Sequence, residues 1–183
     1  MTGDARTAER TCAEDAARAA VAAVVDPEIQ VVTIADLGIL RDVSLDRGHL
    51  TVTITPTYSG CPAMDVIRQD IRRAAHQAGH AEVEIITVLA PPWTTDWVSE
   101  SGRTKLAAAG IAPPGPAGPA GAASPWRSRQ VADVGPVSLT LTVRCPLCGS
   151  PATEQLSSFS STACKALWRC RDCAEPFDAI KAF

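Results

Sequence analysis

Apolar positions along the chain switch between a helical period and strict alternation. Ala13, Ala16, Ala17, Ala20, Val21, Val24 and Val25 lie on one face of a helix. Asp26 precedes Pro27, and the residue before a proline disfavours helix, so this helix is expected to end near Val25. After the loop "DPEIQVVTIADLG", residues 39–45 read as a strand, and Asp46-Arg47-Gly48 is turn chemistry. Leu50, Val52 and Ile54 alternate with Thr51, Thr53 and Thr55, the signature of a half-buried strand. Met64, Ile67, Ile71, Ala74 and Ala78 return to the helical period, from Pro62 to a stop at Gly79. Val83, Ile85, Thr87 and Leu89 predict a third strand, closed by "PPW". A short helix is expected over residues 99–109, ending at Gly110.

The pattern then breaks. Residues 112–125, "APPGPAGPAGAASP", offer no apolar period and read as a semi-extended linker. Beyond it Leu139, Leu141 and Val143 alternate with threonines and lead into "RCPLCG". The fold class expected is α+β: a small mixed domain over residues 1–111, a linker over 112–136, and a separate β module over 137–183. With no dockable period in the linker, the two modules are expected to move relative to one another unless an interface locks them.

Composition narrows the function. The 183 residues are 46% hydrophobic but only 4% aromatic, so the core is built from Val, Ile, Leu and Ala. A formal charge of −3 gives no electrostatic reason to expect nucleic acid. No apolar run approaches the ~18 residues that span a bilayer. The opening "MTGDARTAERTCAED" is acidic and lacks the apolar stretch of a secretory signal. A cytoplasmic, reducing compartment is therefore expected, where seven cysteines favour metal or thiol chemistry over disulfides.

Cys145-Pro-Leu-Cys148 and Cys170-Arg-Asp-Cys173 are the strongest motif. Two C-x-x-C turns present four thiolates to one tetrahedral ion. A module this small buries little apolar surface, and a bound metal supplies the missing folding free energy. Zinc is expected, with iron of the rubredoxin kind and a pair of disulfides as the alternatives. All four positions are filled by protein, which makes the site structural. Cys164 lies outside the pairs, and burial is its ordinary role.

Cys61, in "PTYSGCPAMD", sits at the start of the second helix. Helix N-termini lower a thiol's pKa, which predicts a reactive thiolate there. Asp26, Glu28 and Asp36 oppose that ionisation if they lie close. Taken alone, these three acids are ordinary turn residues. Trp93 and Trp97 either close the core or face a partner. No phosphate loop, dinucleotide fingerprint or Ser/His/Asp arrangement is present, and Cys61 has no base near it in sequence.

Taken together, "DPEI", "VTIADLGIL", "TPTYSGCPAMD" and "APPWTTDW" resemble the α+β domain of iron–sulfur cluster assembly and targeting factors. "CPLCGS" and the tail "STACKALWRCRDCAEPFDAIKAF" resemble the phenylacetate-degradation family PaaD, also called PaaJ, which joins the two modules in this order. One departure is Gln30, where many relatives carry proline after "DPEI". The resemblance implies a non-enzymatic accessory role in the phenylacetyl-CoA epoxidase system, maturing or delivering iron–sulfur clusters to its flavin and iron–sulfur reductase. A non-catalytic structural subunit of the oxygenase is the alternative. The resemblance also implies that Cys61 is the functional thiol, in contact with a transient cluster or a client. Asp26, Glu28 and Asp36 match the family's motif loops, Cys164 falls within its tail motif, and Cys145, Cys148, Cys170 and Cys173 match its zinc ligands.

Overall fold

The computed structural model describes residues 3–115 and 143–181. Helix α1 spans Gly3–Ala22. It stops three residues before the expected end, because Val25 leaves the helix to bridge Thr33 across the acidic loop. Strands β1 (Leu40–Asp46) and β2 (His49–Ile54) form a hairpin. Its two-residue turn puts both Arg47 and Gly48 at positive φ, matching the twist of the strands. Helix α2 (Met64–Gln77) then returns the chain to β3 (Val83–Thr87), which pairs parallel to β2. The sheet order is β1-β2-β3.

The expected alternation on β2 is observed: Leu50, Val52 and Ile54 are buried while the threonines between them are partly exposed. Helix α2 buries Met64, Ile67, Ile71 and Ala75 against that face. It begins at Met64 rather than Pro62, since residues 62–63 form a turn ahead of it.

A single 3₁₀ turn, Thr95–Trp97, and helix α3 (Glu100–Ala108) follow. Ser99 caps α3 by accepting the Gly102 N–H at 2.9 Å. Trp93 is core, and its indole donates to the Leu37 carbonyl at 2.8 Å. Trp97 is partly buried under the Arg41 guanidinium, 3.5 Å from the ring centroid. These contacts explain "DLG". Gly38 has φ +70°, and a Cβ there would lie 2.5 Å from the Trp97 carbonyl oxygen.

The second sheet joins the two modules. Ile111 and Ala112 form β4, which pairs parallel with Asp178 and Ala179 of β7 (Pro176–Ile180). With β5 (Thr153–Ser157) and β6 (Lys165–Cys170), the order among the described residues is β4-β7-β6-β5. Ala112, where the apolar pattern places the start of the linker, is thus a buried sheet residue. Thr95 donates to the Gly115 carbonyl at 3.2 Å, and Arg103 donates to Pro114. Most of the Pro/Gly stretch, with Leu139 and Leu141, lies outside the described residues.

The ribbon has a small core of its own: Ala112, Cys145, Cys170, Phe177 and Ala179. Two ribbon residues, Cys164 and Ile180, belong instead to the large core of the N-terminal domain. Among the described residues no helix is long and apolar enough to cross a membrane.

Gly38→Ala combines a left-handed backbone with a backbone clash and should cost about 2–4 kcal/mol. Gly79→Ala, also at positive φ but with open space around it, should cost only about 1–2 kcal/mol. Urea denaturation of the two variants checks the difference.

Candidate functional site

The acidic loop is built on Asp26. Its Oδ1 accepts the N–H groups of Glu28 at 2.9 Å and Ile29 at 2.8 Å, closing a tight turn after α1. Asp26 is buried, and burial pushes its carboxyl above the ordinary range against the pull of those two N–H groups. Ile29 enters the core, and Glu28 is left partly exposed beside it.

Cys61 lies in the turn leading to α2. Its N–H donates to Tyr58 O at 3.3 Å, and its carbonyl accepts the Met64 N–H at 3.4 Å. It is half-buried and packs against the core, and the Tyr58 side chain hydrogen-bonds to it. The expected low-pKa thiolate is not what the structure shows. Burial raises the Cys61 pKa, the N–H groups of Ala63 and Met64 oppose that, and the carboxylates of Glu28 and Asp26 raise it further. The helix starts beyond the cysteine, so its dipole acts through only those two N–H groups, while two acids lie close.

The ribbon supplies a second thiol. Cys164 sits in the β5–β6 connection, and its Sγ lies 3.1 Å from Thr162 Oγ1 and 3.6 Å from Glu28 Oε2. It is buried, as its residue type favours, yet its sulfur faces a carboxylate. Burial first, then the charge of Glu28 against the Thr162 hydrogen bond, pushes it to about 11. Lys165 is buried next to it, paired with Asp178 at 3.2 Å, and its charge reaches Asp26. Tyr58 and Lys165 were not singled out as site residues from the sequence. The signals were there: the only tyrosine lies three residues before Cys61, and a lysine adjoins Cys164.

Asp36 is engaged with other groups. Its Oδ2 accepts Lys105 Nζ at 2.6 Å and the Thr33 N–H at 3.0 Å, and Ser99 Oγ lies 3.3 Å from Oδ1. Burial raises its pKa, but Lys105 and Thr33 outweigh that and hold the carboxyl below its ordinary value. The structure therefore gathers Asp26, Glu28, Cys61 and Cys164 at one place and sets Asp36 to fastening α3.

The four ribbon cysteines form a separate group. The Sγ atoms of Cys145, Cys148, Cys170 and Cys173 all lie within 4.8 Å of one another. Cys145 and Cys173 are 3.8 Å apart, and Cys148 and Cys170 3.5 Å. A zinc tetrahedron with Zn–S bonds of about 2.3 Å has edges of about 3.8 Å, so the donor set fits zinc.

Two family profiles match. The "Iron-sulfur cluster assembly protein" family covers residues 14–88, and the "PaaD zinc beta ribbon domain" covers residues 131–181. The chain is 42% identical over 156 residues to an Escherichia coli (strain K12) protein provisionally named as a subunit of 1,2-phenylacetyl-CoA epoxidase, covering 85% of each. The chain belongs to the PaaD family. The assembly-type domain of this PaaD-family chain is also 36% identical to Fe-S protein maturation auxiliary factor YitW of Bacillus subtilis (strain 168), across 45% of this chain and 82% of that one. A solved structure of Domain of Unknown Function DUF59 from Bacillus anthracis superposes with a TM-score of 0.50 at 29% identity, covering 55% of this chain and 96% of that chain. The PaaD-family fold is thus an iron–sulfur assembly-type domain followed by a four-cysteine zinc ribbon.

Two measurements check the electrostatics. Alkylation of Cys61 by iodoacetamide at pH 7.5 should be slower than that of free cysteine, and Glu28→Gln should speed it by removing one negative charge. Asp36 has a depressed pKa when folded, so its contribution to stability is full above the unfolded value of 3.8 and is lost as pH falls through the folded value. Lys105→Met should flatten that acid limb in urea midpoints taken against pH.

Proposed function

We propose that this chain is a non-catalytic accessory protein of the phenylacetyl-CoA epoxidase system that matures or delivers iron–sulfur clusters for the reductase of that system. One observation carries the reading: an iron–sulfur assembly-type domain and a PaaD ribbon share one chain, with the thiol of Cys61 half-exposed in the first. The iron–sulfur cluster is the cargo. Cys61 is the thiol that touches cluster or client, and Asp26 and Glu28 surround it with negative charge. That charge disfavours a bare thiolate and favours an arriving cation for the same Coulombic reason.

The ribbon metal serves a different purpose. Zinc on Cys145, Cys148, Cys170 and Cys173 would have no open coordination position, so it would hold the ribbon rather than act on a substrate. Among the described residues these four are the only cluster of three or more metal-ligating side chains drawn this close.

A second reading is a structural subunit of the oxygenase. The name of the Escherichia coli relative favours it. The two readings part on the reductase. Cells carrying Cys61→Ser or Cys61→Ala should make a reductase deficient in iron and labile sulfide, while the variant chain keeps its circular dichroism and one zinc. A fully loaded reductase in both strains would leave the subunit reading as the better one.

A further inference from the structure

We infer that Cys61 and Cys164 are paired thiol ligands for one iron–sulfur cargo, held across the junction of the two modules with Glu28 beside Cys164; the nature of the cargo rests on the maturation role proposed above. Cys164 is 136 residues from Glu28 in sequence, yet its Sγ lies 3.6 Å from the carboxylate. The same carboxylate acts on Cys61, and Tyr58, hydrogen-bonded to Cys61, feels the charges of both Glu28 and Cys164.

The position of Cys164 is built by the ribbon. Its carbonyl accepts the Lys181 N–H at 3.0 Å, and Lys165 N–H donates to Thr162 O at 3.2 Å across the same turn. Ile180 enters the neighbouring core beside it. A cysteine kept only for packing gains nothing from a carboxylate at its sulfur, since a polar group drawn towards the interior costs free energy unless well paired, and S–H is a weak donor. A sulfur that becomes a metal ligand does gain: the adjacent carboxylate is an acceptor for the departing proton. On binding, each S–H bond is replaced by S–Fe. One proton passes to Glu28 Oε2, the other to solvent, and no electrons change hands.

The junction donors are not drawn together as tightly as the ribbon four. A pair of thiols leaves the remaining iron positions to the cargo's own sulfide and to a client. Two thiols from one chain hold it, and a client with more ligands can take it.

The test uses the full, zinc-loaded chain with Cys12→Ser, because Cys12 is a further exposed free thiol. Ferric ion and sulfide are added without oxygen, and iron, labile sulfide and sulfur-to-iron charge-transfer absorption are read per chain. The background should retain a cluster. Adding Cys61→Ser or Cys164→Ser should each weaken retention at least about tenfold, with zinc unchanged. Retention by Cys164→Ser equal to the background, or no cluster on any chain, overturns the pairing. A measurement without substitution at either thiol guards against misfolding. Phenylarsine oxide bridges two thiols, and in the zinc-retaining chain it should join Cys61 to Cys164 in mapped peptides. A map in which Cys164 stays unbridged also overturns it. If Cys164→Ser keeps its cluster while Cys61→Ser cells have a deficient reductase, the pairing falls and the maturation role stands. If the pair binds a cluster but cells lacking the chain load their reductase fully, the maturation role falls alone.

Discussion

The pairing of Ile111 and Ala112 with Asp178 and Ala179 is the contact on which the rest of the molecule depends. Two residues of the assembly-type domain become an edge strand of the ribbon sheet. In return, Cys164 and Ile180 of the ribbon fill the core of that domain. Backbone pairing fixes register, because a slip of one residue would turn Ala112 from the ribbon core to the opposite face. Register in turn fixes where Cys164 stands relative to Glu28. Among the described residues the ribbon's own core is five buried residues, so a metal closing its four thiolates would add stability to a small module.

The junction pairs thiols with negative charge. Reactive cysteines ordinarily rely on positive surroundings. Here burial and carboxylates keep both Cys61 and Cys164 protonated. Such thiols resist adventitious alkylation and oxidation, which follow thiolate content. They remain available to a metal, whose charge reverses the local balance. Asp36 performs another task nearby in sequence: with Lys105, Thr33 and Ser99 it locks the 36–38 loop to α3, and Gly102 leaves room for its backbone.

Local pattern made much of this legible. The buried alternation of β2 and the apolar face of α2 each depend on neighbours in sequence. The two C-x-x-C turns encode the ribbon site by spacing alone. Cys61 was recognisable as an unusual cysteine, but the direction of its pKa was not. Burial in the fold raises it first, the acids that add to it lie on a loop more than thirty residues earlier, and the helix begins two residues later than Pro62 implied. β4 was hidden for a different reason. Two residues carry no period, and they precede a proline-rich stretch that reads as linker. Contacts across 136 residues, such as Cys164 to Glu28, leave no mark on either local pattern.

Hydrogen exchange of the zinc-loaded full chain tests most directly that the two modules share one structure. The amides of β4 and of the facing β7 should be protected together, and chelation of the ribbon metal should release them while β2 stays protected. Exchange of β4 at the rate of an open chain, with zinc bound and β2 protected, would contradict a site built across the junction.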